Sequence, residues 1–257
     1  LLAPRRAWAQ PLPPSNLRVE GMPITATNLT SAANTTNASS YTTASVTPGA
    51  NRLILVAVKS NVSAANAPGN VPTLSGNGLT YVEMRTMAWN PVATPEARLT
   101  LFRAMGSAPS AGAITIDFAG ETQLGAIWAV IEFDGVDTSG ANGAGAIIQD
   151  AESAAPDTCA TSVSVTLAAF GDPTNNAVFI SAAHNANETA TQETGHTELS
   201  DDAHATPARN MASAWLLGED LSPSYSWVTS ARKAAIAVEI KAAAAAGAGG
   251  FPIMAHW

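Results

Sequence analysis

The sequence predicts an all-β protein, an antiparallel β-sandwich built from two pseudo-repeated halves. Three observations predict it. Short segments rich in β-branched and aromatic residues recur along the chain, and clusters of Gly, Pro, Asn and Ser separate most of them. Helical spacing of apolar residues is hard to find outside an Ala-rich stretch near the C-terminus. The segments also fall into two series that resemble each other in order and spacing.

Composition limits the partners that this chain is expected to bind. The 257 residues are 46% hydrophobic, which is enough for a substantial core, and only 12% are charged, with a formal net charge of −8. Nucleic-acid binding needs a basic face, and the chain has no cluster of basic residues beyond Arg5 and Arg6. No apolar run reaches the roughly 18 residues of a membrane span. We therefore expect no nucleic-acid partner and no membrane insertion.

The first and last predicted elements are extended segments outside the sandwich. Residues 1–23 carry five prolines, which predict a Pro-rich extended arm. Residues 242–257, AAAAAGAGGFPIMAHW, predict an Ala/Gly linker with an apolar tip. Neither segment can build a core alone, so we expect each to be held by the domain body or by a neighbouring chain.

Between them lies a predicted β-sandwich over residues 24–241. The first series of predicted strands covers residues 41–47, 51–58, 79–84, 98–105, 113–119 and 126–133. The second series covers residues 162–170, 176–183, 209–217, 224–230 and 234–242.

The two series predict a duplication with pseudo-repeats 45–136 and 162–241. NRLILVAV is echoed by NAVFISAA, and WAVIEFD is echoed by AIAVEIK. Because each half contains only five or six predicted strands, a single sandwich built from both halves is favoured over two separate ones. The stretch 134–145, DGVDTSGANGAG, is interpreted as the long turn between the halves. It does not fit a calcium loop, since Gly145 occupies the twelfth position, where a bidentate Glu is required.

Three acidic residues end the strand in AIWAVIEFDGVD, residues 126–137, and they are the first candidate site. The repeat aligns Glu132 with Glu239, but it aligns Asp134 with Lys241. A catalytic acid pair has no reason to recur with one acid replaced by a base. The alignment therefore favours a structural role for Glu132, and we predict no catalytic residue here.

Two further polar candidates are also interpreted structurally. The segment GHTELSDDAH, residues 195–204, contains residue types that bind Zn²⁺, Ca²⁺ or Mn²⁺. Their spacing matches no compact metal motif, so we predict a solvated loop and no metal site. The single cysteine, Cys159, is predicted to be a small buried hydrophobic residue rather than a nucleophile.

Aromatic residues are the remaining candidates for ligand binding. Tyr225 and Trp227 lie on one face of SYSWVTS, where they could stack on sugar rings. They align with Ile114 and Ile116, which favours core packing. Trp89, in MAWNPVATPE, falls in a turn-like segment between two strands and is the predicted ligand-binding residue.

The order NRLILVAV, PTLSGNGLTYVEM, LTLFRAM, AITIDFAGETQLGAIWAVIEFDGVDTSG, SVTLAAFGDPTNNAVFISAA and AIAVEIKA resembles a known type of domain. It is similar to the jelly-roll (concanavalin-like) β-sandwich of bacteriophage fibre, spike and virion-surface proteins and of bacterial surface proteins. The resemblance covers about residues 24–241. Its pattern is that of a scaffold without a diagnostic catalytic motif, so no functional residue is carried over.

The sequence therefore predicts a non-enzymatic structural or attachment component of a phage virion surface, extracellular and without cofactor or metal. Its arms are expected to dock on other virion proteins or on further copies in a homo-oligomer, and host cell-surface glycan is a further expected contact. The predicted apolar anchors are Phe251, Ile253, Met254 and Trp257.

Two alternatives stay open at this point. A secreted carbohydrate-binding module or bacterial adhesin needs exposed aromatic residues. A jelly-roll glycan hydrolase or lyase needs two convergent carboxylates, or a His, Tyr and Arg cluster, in one groove.

Overall fold

The computed structural model describes residues 22–62, 69–89 and 96–245, and this part of the chain is almost entirely antiparallel β-sheet. The predicted fold class is therefore confirmed. The strands of the first half are β1 (Thr25–Asn34), β2 (Ser40–Thr42), β3 (Leu53–Val62), β4 (Thr73–Ser75), β5 (Val82–Trp89), β6 (Glu96–Ala104), β7 (Thr115–Asp117) and β8 (Gln123–Asp134). Those of the second half are β9 (Ile147–Glu152), β10 (Ala160–Ser164), β11 (Ala177–His184), β12 (Thr191–Gln192), β13 (Thr197–Ala205), β14 (Ala208–Leu217), β15 (Ser224–Ala231) and β16 (Lys233–Ile240). A short 3-10 helix, Ala141–Ala146, lies between the halves.

Both halves have the same sheet topology. The first half forms a five-stranded sheet, β1-β8-β3-β6-β5, and a three-stranded sheet, β2-β7-β4. The second half repeats this order as β9-β16-β11-β14-β13 and β10-β15-β12. In each half the first strand pairs with the eighth, the second with the seventh and the third with the sixth, which is the nested pairing of a jelly roll. The weak echo in the sequence thus corresponds to a repeated topology.

The four sheets stack as small, large, large and small, with the two five-stranded sheets facing each other. Three buried clusters fill the three spaces between them. The central cluster contains side chains of both halves, among them Leu55, Phe133, Phe179 and Ile236. Alternation of side chains along β3 sends Leu55 to the central cluster and Val56 to the cluster under the small sheet. Strand β3 is therefore apolar on both faces, and its sequence is a nearly continuous hydrophobic run.

Each half forms its own pair of sheets, which differs from the favoured interpretation of one sandwich shared between the halves. The difference arises from strands that the sequence pattern did not reveal. Strands β1, β9 and β13 are edge strands of the large sheets, with polar sequences and mostly half-buried or exposed side chains. The solvated loop predicted at residues 195–204 is wrong, because residues from Thr197 onward form β13.

Candidate functional site

Glu132, the first candidate acid, is a structural contact at the end of β8. Its side chain is 5% exposed and accepts hydrogen bonds from the Gly49 backbone N–H at 2.5 Å and from Arg52 Nη1 at 2.6 Å. The Arg52 guanidinium also lies 3.0 Å from Asp134 Oδ2. The hydrogen bond to Glu132 is the main reason that the pKa of Arg52 is raised. These contacts stabilise the turn before β3. Both carboxylate oxygens of Glu132 are hydrogen-bonded.

The second half contains the matching arrangement around Glu239, which is fully buried. Its oxygens accept hydrogen bonds from Asn176 Nδ2 at 2.7 Å and Gln149 Nε2 at 2.6 Å. Asn176 directly precedes β11, just as Arg52 directly precedes β3. In both halves this glutamate therefore stabilises the residues that directly precede the third strand.

Glu239→Ala is expected to lower the free energy of unfolding by about 1–3 kcal/mol, because it removes the acceptor of the buried Asn176 amide and one of the two acceptors of the half-buried Gln149 amide. Chemical denaturation measures the loss. Glu152→Ala is the matched control, since that carboxylate is 43% exposed, lies 3.7 Å from Arg85, and is expected to contribute about 0–1 kcal/mol. Equal effects of the two substitutions would contradict the structural role of Glu239.

Trp89, the predicted ligand-binding residue, is not in an exposed turn. It is the last residue of β5 and is 0% exposed. Its indole Nε1–H donates to Asn185 Oδ1, 3.1 Å away, and Lys59 Nζ lies 5.7 Å from the centre of its ring. The prediction is corrected accordingly: Trp89 joins β5 to the other half of the protein, and its ring is not accessible to a sugar.

Lys59 belongs to a buried polar cluster that the sequence analysis missed. Its Nζ donates to the backbone oxygen of His184 at 3.0 Å, which links the two halves. Burial, followed by the charge of Arg209, lowers the pKa of Lys59 well below its ordinary value. A lysine directly after the apolar run NRLILVAV, inside a strand with no polar alternation, was the feature that could have revealed it.

Two histidines of this region are buried as neutral rings. His184 stacks on Trp227 with ring centres 4.4 Å apart, and neither of its ring nitrogens has a hydrogen-bond partner among the described residues. Burial, with a contribution from the Lys59 charge, lowers the pKa of His184 to about 3. Burial lowers the pKa of His204 to about 4, and Lys59 contributes there as well.

The candidate metal residues of segment 195–204 do not converge on one point. Asp201 accepts hydrogen bonds from the Ala190 backbone N–H at 3.0 Å and from Asn210 Nδ2, while Asp202 is on the opposite face of β13. His196 lies 3.5 Å from Asp220. Within residues 22–62, 69–89 and 96–245, no group of three or more His, Cys, Asp or Glu side chains has the geometry to hold a metal ion.

The aromatic residues of the described ranges are all buried or half-buried. Tyr225 and Trp227 pack in the core of the second half, as the alignment with Ile114 and Ile116 predicted. Cys159, predicted to be buried, is instead exposed, because it lies in the turn before β10. The apolar anchors Phe251, Ile253, Met254 and Trp257 lie outside the described residues.

Both ends of the described chain and the connection between the halves meet at one end of the molecule. Gly135 marks the place: a Cβ there would lie 2.5 Å from Pro23 O and 2.9 Å from Met22 O. The backbone oxygen of Gly135 accepts a hydrogen bond from Ala243 N–H at 2.9 Å. With φ at +72°, the position also favours glycine. We call this the terminal end of the protein.

The connection between the halves is bound at the same end to Lys241, which directly follows β16. Lys241 Nζ lies 2.7 Å from Asp137 Oδ2, and the Lys241 backbone N–H donates to Ala146 O at 2.8 Å. The hydrogen bond from Lys241 is the main cause that lowers the pKa of Asp137 to about 2. Beside it, an open groove of about 320 Å³ runs between β5, β6 and the start of β9, with Met84, Arg103 and Ile148 in its lining.

Comparison of the chain with protein-family models, with curated proteins and with solved structures gives no match. Among the described residues, no helix has the length and apolarity that crossing a membrane requires.

Proposed function

We propose that this protein is a non-enzymatic structural and attachment component of a phage virion surface, such as a fibre, spike or decoration protein. The observation that supports it best is the duplicated jelly roll in which both ends of the described chain lie at one end of the body. Jelly rolls serve as capsid and lectin scaffolds, and this support is by analogy of fold.

The body has the physical properties that such a role requires. The central strands β3, β8, β11 and β16 are buried on almost every residue, and three hydrophobic clusters join the four sheets. Few backbone groups of these strands are open to local unfolding, which favours resistance to proteolysis. The described chain begins and ends at the terminal end, and the proposal is that the Pro-rich arm and residues 246–257 dock from there on other virion proteins.

The alternative role as a secreted carbohydrate-binding module finds less support in the described residues. Stacking on sugar rings needs an exposed aromatic side chain, and every described Trp, Tyr and Phe is buried or half-buried. Any contact with host glycan in the described ranges would therefore use polar loop residues.

Immunoelectron microscopy with antibodies against the recombinant chain tests the proposal. Purified virions from the source of this sequence are expected to carry the label on their surface. Label that is absent from virions, with the protein found free in the medium, would contradict the proposal and favour the secreted module.

A second experiment tests docking through the terminal segment. Recombinant chain added to virions that lack it is expected to co-sediment with them, and Phe251→Asp with Ile253→Asp is expected to abolish this. Val228→Asp is the matched control, because Val228 is 87% exposed and lies on β15 of the outer sheet.

A further inference from the structure

The two five-stranded sheets have four edge strands, and each of the four contains a bulge. The edges are β1 and β5 in the first half and β9 and β13 in the second. The pairing with the neighbouring strand skips one residue in each of them: Leu29, Met84, Ile148 and Leu199. An edge strand presents unpaired backbone groups to other chains, and a bulge interrupts that row. Since all four edges share the bulge, it does not distinguish one edge from another.

Charged side chains do distinguish the four edges. Three of them carry charges: Glu83 and Arg85 on β5, Asp150 and Glu152 on β9, and Glu198, Asp201 and Asp202 on β13. Strand β1, TATNLTSAAN, has ten residues and contains neither a charged residue nor a proline. The edge strands of the small sheets have two to five residues and are protected by their shortness. Among the described strands, β1 is therefore the long edge that lacks the charges which prevent pairing with another chain.

The outer backbone groups of β1 are open to such pairing. In an antiparallel strand every second residue directs its N–H and C=O away from the neighbouring strand. Within residues 22–62, 69–89 and 96–245, the backbone hydrogen bonds of β1 go to β8 alone. After the bulge, Thr30–Asn34 keeps one register with β8 and offers about four to six backbone hydrogen bonds to an added strand. Its side chains are small or polar and half-buried, so no large side chain covers the edge.

Strand β13 lies beside β1 on the same side of the molecule. Asn28 Nδ2 on β1 donates to Leu199 O on β13 at 2.8 Å. Further along, a Cβ at Gly125 would lie 2.7 Å from Asn34 O and 3.3 Å from His204 Nε2. The two edge strands therefore run side by side in the same direction.

The exposed charge on this side is acidic. Asp202 pairs with Met211, a member of the central cluster, so its half-buried side chain lies on the β13 face directed at the first half. The Asp202 carboxylate makes no hydrogen bond or ion pair with the described residues. Glu198 is exposed, and neither strand contains Lys or Arg. Arg209, on the neighbouring β14, is buried.

We propose that β1 is a strand-addition site for an extended segment of another protein that carries Lys or Arg. Backbone hydrogen bonds to Thr30–Asn34 supply the affinity, and a basic side chain directed at β13 pairs with Asp202. Sheets pack about 10 Å apart, so a long basic side chain spans most of that distance. A second copy of β1 would bring the same carboxylates to this side, which favours a basic partner over self-association. The inference goes beyond the proposed function, because it concerns this side of the molecule and not the terminal end.

Fluorescence anisotropy of labelled peptides with the full chain tests the proposal. The probes are peptides of eight residues in which Lys alternates with Thr, Val or Ile, and a matched set has Glu in place of Lys. The Lys peptides are expected to bind with dissociation constants below about 1 mM, about 10-fold or more tighter than the Glu peptides. Hydrogen exchange at Thr30–Asn34 is expected to slow when a Lys peptide binds.

Ser31→Lys gives β1 the kind of charge that the other long edges carry, and it is expected to weaken binding of the Lys peptides by about 10-fold or more. Val228→Lys is the matched control with the same change of net charge, because Val228 is 87% exposed on β15. It is expected to change the dissociation constant by less than about twofold. Thermal unfolding of each variant checks that its fold is intact.

Lys peptides that do not bind below about 1 mM, or that bind no better than the Glu peptides, would overturn the proposal. Equal binding by Ser31→Lys and the wild type would overturn it too. Slow exchange throughout Thr30–Asn34 in the free chain would have the same consequence, because the edge would already be paired within the chain or with a second copy. None of these results changes the labelling of virions, so the proposed function is tested separately.

Discussion

Phe133→Ala is expected to lower the free energy of unfolding by about 3–5 kcal/mol, the usual cost of deleting a large buried side chain. Phe133 is 0% exposed at the end of β8. Its ring contacts two aromatic rings of the other half edge to face: Phe179 at 5.9 Å and Trp215 at 6.2 Å between ring centres. The substitution therefore opens a cavity between the two large sheets. Urea denaturation followed by fluorescence and circular dichroism measures the loss.

Leu221→Ala serves as the control for this effect. Leu221 is 41% exposed and lies in a loop, so its truncation is expected to change stability by less than about 0.5 kcal/mol. A loss below about 1 kcal/mol for Phe133→Ala would contradict the packing of the two halves through their five-stranded sheets.

Acidification from pH 6.5 to 4.5 is expected to destabilise the protein through His184 and His204. Their pKa values in the folded state, about 3 and about 4, lie below the ordinary value of 6.5. The unfolded chain therefore binds protons that the folded protein does not, and stability falls as pH drops below 6.5. Over two pH units the loss is about 2–3 kcal/mol for each histidine. It ends near the folded pKa values, where the native rings are protonated too.

Three acids act in the opposite direction. Loss of hydration raises the pKa values of Glu96, Glu198 and Asp201, so their folded forms bind protons more readily and stability gains from them as pH falls. The histidine contribution is therefore measured as a difference between variant and wild type. His184→Phe keeps a ring against Trp227 and is expected to change stability at pH 7 by less than about 1.5 kcal/mol.

At pH 4.5 the same variant is expected to exceed the wild type by about 2–3 kcal/mol more than it does at pH 7. A difference that does not change with pH would contradict this account, because it would show that folded His184 takes up a proton as readily as the unfolded chain does. Asp137 does not interfere in this range, because its stabilisation is lost only as pH falls from its ordinary pKa of 3.8 towards its folded pKa of about 2.

The central strands could be predicted from the sequence, and the edge strands β1, β9 and β13 could not. Strands β3, β8, β11 and β16 are buried on both faces, so each contains a run of at least four hydrophobic residues. Strand β1 is an edge strand with the sequence TATNLTSAAN and only partial burial. Its position depends on pairing with β8, which local propensity does not encode.

Contacts between the halves could not be predicted from the sequence either, and they determine the roles of several candidate site residues. Trp89 looked exposed because it is followed by Asn90 and Pro91 in the sequence, whereas its hydrogen-bond partner, Asn185, comes from the other half. The structural role of Glu132 could be predicted from the sequence, because the repeat places Glu239 at the equivalent position. Both ends of the described chain meet at Gly135 because of the nested strand order, which the sequence pattern did not show.

The most direct test of the duplicated, face-to-face architecture is a double-mutant cycle on Phe133 and Phe179, one residue from each half. Their edge-to-face contact predicts a coupling free energy of about 0.5–1.5 kcal/mol between Phe133→Ala and Phe179→Ala, measured by urea denaturation. Such coupling is the expected result if the two large sheets pack against each other. Strictly additive effects of the two substitutions would contradict that packing.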